Sequence, residues 1–132
     1  MEYNIKKLPD EPIVFVTLGA DASLVSGVEE FAEALSAALD ACPEQVYVIS
    51  NMSEMKFSMS DVIQGANLAA RQVQLFKHPK IIENVMFTPS KLLRMASQGF
   101  DTPIFGNIKL ATFETREEAF AYVRGKIGTG PK

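Results

Sequence analysis

Polar side chains are concentrated in the residues that follow the apolar run Val46–Ile49. Hydroxyl, amide and carboxylate groups are interspersed there with methionine and phenylalanine side chains. The set consists of Asn51, Ser53, Met55, Phe57, Ser58, Met59, Ser60 and Asp61. Such groups bind by hydrogen bonds, and methionine adapts to apolar surfaces of varied shape. The stretch contains no recognisable catalytic set of residues. The stretch therefore predicts a surface for a partner or ligand, with no catalytic residue.

A second polar set follows the apolar run Ile81–Phe87 and consists of Thr88, Ser90, Lys91 and Arg94. Thr88-Pro89 is a typical helix start, and free backbone amides at a helix start attract anions. In open α/β sheets, ligands bind beyond the carboxyl ends of the strands. These four residues are therefore predicted to bind an anion. The glycine-rich loops of nucleotide-binding proteins do not occur in the sequence.

The residues most often used for catalysis and metal binding are scarce. His78 is the only histidine and Cys42 the only cysteine, so neither has a partner of its own type for a metal site or a disulfide. Lys77, His78 and Lys80 form a basic loop that could meet an anion, although a structural loop is the simpler interpretation. We therefore expect no catalytic residue, no metal and no cofactor.

Size and composition favour one folded domain of 132 residues, in which 47% of residues are hydrophobic and 22% charged. The net charge of −3 argues against nucleic acid as a partner. No apolar run reaches the roughly 20 residues of a membrane-spanning helix, and the first residues lack the apolar core of a signal peptide. A cytoplasmic protein without an integral membrane segment is expected.

Charge is distributed unevenly along the chain. Residues 1–66 contain eleven acids and three bases, whereas residues 67–132 contain five acids and ten bases. If the two halves lie on different sides of the fold, this separation of charge favours head-to-tail contact with a charged partner or with a second copy of the chain. The sequence leaves open whether the protein is a homodimer. The alternative is an ordinary solvated surface whose signs are unevenly distributed.

Hydrophobic periodicity predicts strands that alternate with helices. The strands are Tyr3–Lys7, Ile13–Leu18, Val46–Ile49, Ile81–Phe87 and Ile108–Phe113, and the helices are residues 26–41, 60–76, 89–96 and 115–127. Pro9 and Pro12 separate the first two strands, which favours an antiparallel hairpin. The pattern predicts an α/β domain with a mixed, mostly parallel sheet over residues 1–127, followed by a flexible tail, 128–132.

The strand, turn and helix from Val48 to Ile63 resemble the STAS family, which includes the anti-sigma-factor antagonists. Asn51-Met52-Ser53 stands for the family's Asp-Leu-Ser-like triplet, Met55 and Phe57 stand for its hydrophobic turn, and Ser58 to Val62 stands for its helix entry. Leu75-Phe76-Lys77-His78-Pro79 and the segment TREEAFAYV are similar to a poorly characterised branch of stand-alone bacterial proteins. The resemblance spans about Tyr3 to Ile127 and implies the STAS-like fold.

In the antagonist branch, a serine at the helix entry is phosphorylated to switch binding of a kinase-like partner. Asp61 occupies the position of that serine, and Ser60 is the remaining hydroxyl, first of all a helix cap. Because the permanent carboxylate of Asp61 has about half the charge of a phosphoserine and cannot be switched on and off as a serine is, the resemblance implies a non-enzymatic regulatory or interaction module without the usual phosphoserine switch. The alternative is a small-molecule, lipid or anion-binding domain that uses a cleft at the starts of helices 60–76 and 89–96. An enzyme has the least support.

Overall fold

The computed structural model describes residues 3–19, 28–54, 78–91, 94, 95 and 110–129. Their strands and helices, in chain order, are β1 (Tyr3–Lys7), β2 (Ile13–Leu18), α1 (Val28–Asp40), β3 (Val46–Asn51), β4 (Ile81–Phe87), β5 (Leu110–Phe113) and α2 (Arg116–Thr129). Each of these elements was predicted from the sequence. The predicted helix 60–76 lies outside the described residues.

The five strands form one sheet in the order β1-β2-β3-β4-β5. β1 pairs antiparallel with β2, as expected of the opening hairpin, and the other three pairings are parallel. The predicted α/β class with a mixed, mostly parallel sheet is therefore confirmed. β2 to β5 all run in one direction, so they begin at one edge of the sheet and end at the other.

Each face of the sheet packs against one of the two helices. On the α1 face, Leu35 and Leu39 of α1 meet alternate residues of the central strands, among them Val16 and Val48. On the α2 face, Phe120 and Val123 of α2 meet the residues of opposite parity, which include Ile13, Ile49, Val85 and Phe87. Because successive strand residues point to opposite faces, the period-two pattern sorts the apolar side chains between two cores.

A β-bulge interrupts the pairing of β3 with β4. Val46 pairs with Ile81 and Tyr47 pairs with Glu83, so Ile82 is an extra residue on β4. The Ile82 side chain is 48% exposed. After the bulge, Val85 and Phe87 point into the core under α2.

The capping box predicted at the start of the last helix is present. Thr115 Oγ1 accepts from Glu118 N (3.3 Å), and Glu118 Oε1 accepts from Thr115 N (3.2 Å). α2 continues to Thr129 and so includes the first two residues of the predicted tail. After β4, the helical conformation begins at Lys91 and not at the predicted Pro89.

Candidate functional site

The candidate surface at the end of β3 begins with a turn that Asn51 fixes. Asn51 Oδ1 accepts hydrogen bonds from Ser53 N (3.0 Å) and from Ser53 Oγ (2.6 Å). This is an Asx turn, in which the side chain takes the place of a backbone acceptor. Ser53 and Glu54 are exposed, whereas Met52 is half-buried against the α1-face core, as predicted.

The turn at the end of β4 is built on Thr88, a fully buried polar residue with 0% of its surface exposed. Thr88 N donates to Phe113 O (3.0 Å), and Thr88 Oγ1 accepts from Ser90 N (3.2 Å). The hydroxyl therefore fixes the turn by bonding to the backbone two residues on. Thr88 is one of the four residues predicted to bind an anion, and in the structure its hydroxyl holds the turn.

The two cations of the predicted anion site differ in their surroundings. Lys91 is exposed. Arg94 is only partly exposed: Arg94 N donates to Ser90 O (3.1 Å), and Arg94 Nη1 lies 3.8 Å from Glu114 Oε1. Its buried Nε has no hydrogen-bond partner among the residues that the structure describes. Because Glu114 partly neutralises Arg94, Lys91 is the cation of the set that is more available to a ligand.

The two turns meet at one edge of the sheet. Asn51 pairs with Phe87 and Phe87 with Phe113, so β3, β4 and β5 end in one row. Met52 N also donates to Phe87 O (3.1 Å), which extends the pairing one residue beyond β3. The structure therefore brings the two predicted sets together. We define the carboxyl edge as Asn51–Glu54, Thr88–Lys91, Arg94, Met95, Glu114 and Thr115.

Six residues of the predicted partner surface lie outside the described residues: Met55, Phe57, Ser58, Met59, Ser60 and Asp61. The start of helix 60–76, which would form one wall of the alternative cleft, is outside them as well. The described part of the candidate site thus consists of Asn51, Ser53 and the four residues after β4.

An exposed apolar side chain at the carboxyl edge was missed by the sequence analysis. Met95 is helical and 61% exposed, the largest exposed fraction among the large hydrophobic side chains described. It lies four residues after Lys91, and residues so spaced share one side of a helix. The sequence around Met95 does not distinguish an exposed methionine from a buried one, so only the structure reveals this exposure.

His78 lies at the opposite edge, where both of its ring nitrogens are engaged. Nδ1 accepts from Lys80 N (3.1 Å), so Nε2 has the proton and donates to Asp40 Oδ1 (2.8 Å). Cys42 is buried, and its thiol donates to Ala38 O (3.3 Å). The imidazole therefore links α1 to the loop before β4, in keeping with the structural interpretation of that loop, and the thiol bonds to the last turn of α1.

The sequence analysis also missed a cluster of cations and aromatic rings on α2. The Arg116 guanidinium lies 5.1 Å from the ring centres of both Phe15 and Phe120. Arg124 lies 4.9 Å from Phe120, and its Nε and Nη2 donate to the two carboxylate oxygens of Glu11 (2.9 and 3.1 Å). These hydrogen bonds lower the pKa of Glu11 and raise that of Arg124. The four-residue spacing of Arg116, Phe120 and Arg124 was the available signal.

A second cluster joins α2 to β4. Tyr122 Oη donates to Glu83 Oε2 (2.6 Å), and Lys126 Nζ lies 3.6 Å from Glu83 Oε1 and 5.0 Å from the centre of the Tyr122 ring. Desolvation, together with Glu83, raises the pKa of Tyr122 above its ordinary value. The phenol therefore stays protonated and acts as a hydrogen-bond donor that stabilises the helix on the sheet.

The described residues contain neither a group of metal-ligand side chains nor a membrane-spanning helix. Over the described ranges, no three histidine, cysteine or acidic side chains converge in a way that could hold a metal ion. Within those same ranges, neither helix is long and apolar enough to cross a membrane.

The fold is similar to that of a solved bacterial protein. An uncharacterized protein of the DUF3478 family from Shewanella loihica PV-4, described as having a SpoIIAA-like fold, superposes with a TM-score of 0.58 and 13% sequence identity. The match covers 92% of each chain. No protein-family model and no curated protein matches the sequence. The fold of this chain is therefore SpoIIAA-like, the STAS-like fold that the sequence resemblance implied.

Proposed function

We propose that this protein is a non-enzymatic regulatory module that acts by binding another protein at the carboxyl edge. The observation that most supports the proposal is the exposure of Met95, four residues after the exposed Lys91 and shortly after the β4 turn. Exposed apolar side chains surrounded by polar groups are typical of protein contact sites. The proposal includes Met55, Phe57, Ser58, Met59, Ser60 and Asp61 as further members of this surface, and a cytoplasmic location.

The way in which the two turns are held also supports binding at this edge. Asn51 and Thr88 fix their turns through bonds to residues only two positions further along the chain. Each turn is therefore shaped before a partner arrives, and less conformational entropy is lost when the partner binds. Asp61 in the place of the family's switching serine favours a surface of constant charge.

The alternative function, binding of a small anionic or apolar ligand, receives less support from the described residues. The Thr88 hydroxyl is buried and already accepts a hydrogen bond, and Arg94 is close to Glu114. Lys91 remains as the exposed cation. A single exposed lysine favours the rim of a protein interface over a ligand pocket, which needs several convergent polar groups.

Two matched substitutions test the proposal. Met95→Glu introduces a charge at the carboxyl edge, and Ile82→Glu makes the same change at an exposed apolar side chain in the first part of β4. Wild-type protein and both variants would be used for affinity purification with quantitative mass spectrometry. We expect at least one protein that the wild type and Ile82→Glu retain equally and that Met95→Glu loses about tenfold or more, because a buried unpaired charge is costly.

The candidate partner would then be purified and its affinity for the three proteins measured by calorimetry. A second pair, Glu54→Lys at the carboxyl edge and Glu33→Lys on α1, repeats the design with exposed carboxylates. If every specific partner binds both carboxyl-edge variants as tightly as the wild type, the proposal is wrong. Circular dichroism spectra and melting curves of the four variants establish that each is folded.

A further inference from the structure

The α2 face has a polar region that adjoins the carboxyl edge. Asn4 pairs with Thr17 and Thr17 pairs with Asn51, so these side chains form one row across β1, β2 and β3. The row continues through Phe87 and Phe113, which pack under α2. Asn4 is exposed, and Thr17 and Asn51 are half-buried. The α2 face is therefore apolar on the strands that α2 covers and polar towards β1.

Two cations lie beside this polar row. Lys6 pairs with Phe15 across β1 and β2, and Arg116 stacks over the same Phe15 ring at 5.1 Å. Both cations are exposed. Within the described part of the chain, neither forms an ion pair, whereas Arg124, which stacks on Phe120, is neutralised by Glu11. Among the described residues, two uncompensated positive charges therefore lie on residues adjacent to Phe15, one across the β1–β2 pairing and one stacked on its ring.

The position of Arg116 in its helix makes this arrangement more informative. Arg116 is the first residue of α2, where the positive end of the helix dipole disfavours a cation. Stacking on Phe15 and Phe120 nevertheless holds the guanidinium in place. A guanidinium that is already ordered loses little entropy when it binds a carboxylate, and arginine and aromatic residues are enriched in protein interfaces.

We propose that Lys6, Phe15 and Arg116, with Asn4 and Thr17, form a surface that binds an acidic segment of the protein partner. This inference rests on the proposed function, since the partner at the carboxyl edge would extend over Asn51 onto this face. The two cations belong to different elements, Lys6 on β1 and Arg116 on α2, with Phe15 of β2 next to both, and two separate charges fit two carboxylates spaced along an extended chain better than one compact phosphate. The surface is open and spans three elements, as expected for a protein partner.

The test uses the full chain labelled with ¹⁵N and a synthetic ten-residue peptide in which glutamate and serine alternate. We expect the peptide to shift the amide signals of Lys6, Phe15, Thr17 and Arg116 in a saturable manner, and to bind more weakly as ionic strength rises. Arg116→Gln should weaken binding about fivefold or more, and Lys6→Gln about threefold, because each loses one charge contact. Arg124→Gln is the matched control and should bind within about twofold of the wild type.

The proposal is overturned if the matched glutamine–serine peptide gives the same shifts, if the shifts lie elsewhere, or if the Arg116 and Lys6 variants bind as tightly as the wild type. Tighter binding of inorganic phosphate or a phosphoserine peptide at these amides would also overturn it and assign the surface to phosphate. Should Arg116→Gln fail to fold, Lys6→Gln, on an exposed strand position, decides the question.

Failure of this inference can be distinguished from failure of the proposed function. If Met95→Glu loses a partner that Arg116→Gln retains, the carboxyl edge binds protein and the acidic-segment proposal is wrong. If the acidic peptide binds at Arg116 but no partner depends on Met95 or Glu54, the proposed protein-binding site at the carboxyl edge is wrong. The proposal that Lys6, Phe15 and Arg116 bind an acidic segment is then supported independently of that site.

Discussion

The two edges of the sheet differ in how their side chains are bonded. At the amino edge, which comprises Leu8–Pro12, Asp40–Gln45 and His78–Lys80, hydrogen bonds join residues far apart in the sequence. His78 to Asp40 and Lys80 to Cys42 O each span 38 positions, and Arg124 to Glu11 spans 113. At the carboxyl edge, the side-chain hydrogen bonds seen between described residues of the two strand-end turns and the capping box span two or three positions.

This difference indicates that the two edges contribute differently to the stability of the domain and to binding. Long-range bonds at the amino edge hold α1, α2 and the sheet together, so they contribute to the stability of the whole fold. Among the described residues, local bonds at the carboxyl edge shape each turn, and its segments are joined to one another by backbone bonds that continue the sheet and by the Arg94–Glu114 ion pair. For this part of the chain we therefore expect the amino edge to contribute more to stability and the carboxyl edge to be more available for binding.

The largest expected effect follows from removal of His78. His78→Ala leaves Lys80 N and Asp40 without their partners, and we expect the free energy of unfolding to fall by about 2 kcal/mol. Lys91→Ala at the carboxyl edge should change it by less than about 0.5 kcal/mol. Urea denaturation measures both, and equal losses would remove the distinction between the edges.

Thr88 gives the most direct test of the difference in stability between the two edges, because it is a buried residue at the carboxyl edge. Thr88→Val keeps the side-chain shape but removes the acceptor for Ser90 N, and a loss of about 1 to 2 kcal/mol in unfolding free energy is expected. Thr88→Ser, which keeps the hydroxyl, is the control and should lose less. A neutral Thr88→Val variant would mean that the β4 turn does not depend on this bond.

Tyr122→Phe tests the link between α2 and β4 on the side of the amino edge. Loss of the bond to Glu83 should reduce the free energy of unfolding by about 1 kcal/mol at pH 7. The raised pKa of Tyr122 adds stability that is complete below the ordinary tyrosine pKa and is lost as pH rises through the folded-state value. Ultraviolet absorbance titration should detect one tyrosine that ionises later in the wild type than in the unfolded chain.

The smallest effect is expected for Glu11, whose partner Arg124 is exposed. Hydrogen bonding lowers the pKa of Glu11, so its contribution is present above the ordinary glutamate pKa and disappears as pH falls through the lower folded-state value. Glu11→Gln should melt about 2 °C or less below the wild type at pH 7, and the two curves should converge towards pH 3. A constant difference in Tm across this range would show that packing, and not charge, explains the effect.

The sequence predicted the elements of the fold better than it predicted the site. Apolar periodicity and capping residues located β1 to β5, α1 and α2, because these signals are local. The meeting of the Asn51 and Thr88 turns also followed, since ends of parallel strands share an edge. Burial of the Thr88 hydroxyl and exposure of Met95 did not follow, because both depend on contacts between segments distant in sequence.

The stacking of Arg116 on Phe15 shows the same limitation. The two residues lie in α2 and β2, and only the register of the sheet and the position of α2 bring them together. Arg116 within TREEAFAYV is, by sequence, an ordinary solvated helix residue. The hydrogen bond between Tyr122 and Glu83 was missed for the same reason, because it depends on the face of the sheet to which the Glu83 side chain points.

The β-bulge at Ile82 determines the face of the sheet to which Glu83 points. It also determines which changes in the length of β4 are compatible with the fold. Ile81 and Glu83 pair with neighbouring residues of β3, so Ile82 is left out of the alternation and the side chains of Ile81 and Glu83 point to opposite faces of the sheet. Deletion of Ile82 would leave Ile81 opposite Val46 and Glu83 opposite Tyr47, so Val85 and Phe87 would still point towards α2. We therefore expect both substitution and deletion at position 82 to be tolerated, whereas deletion of Asn84 would turn the apolar side chains before it or after it to the wrong face. The bulge thus makes position 82 the one place in β4 where the strand can be shortened by a residue without a change of register.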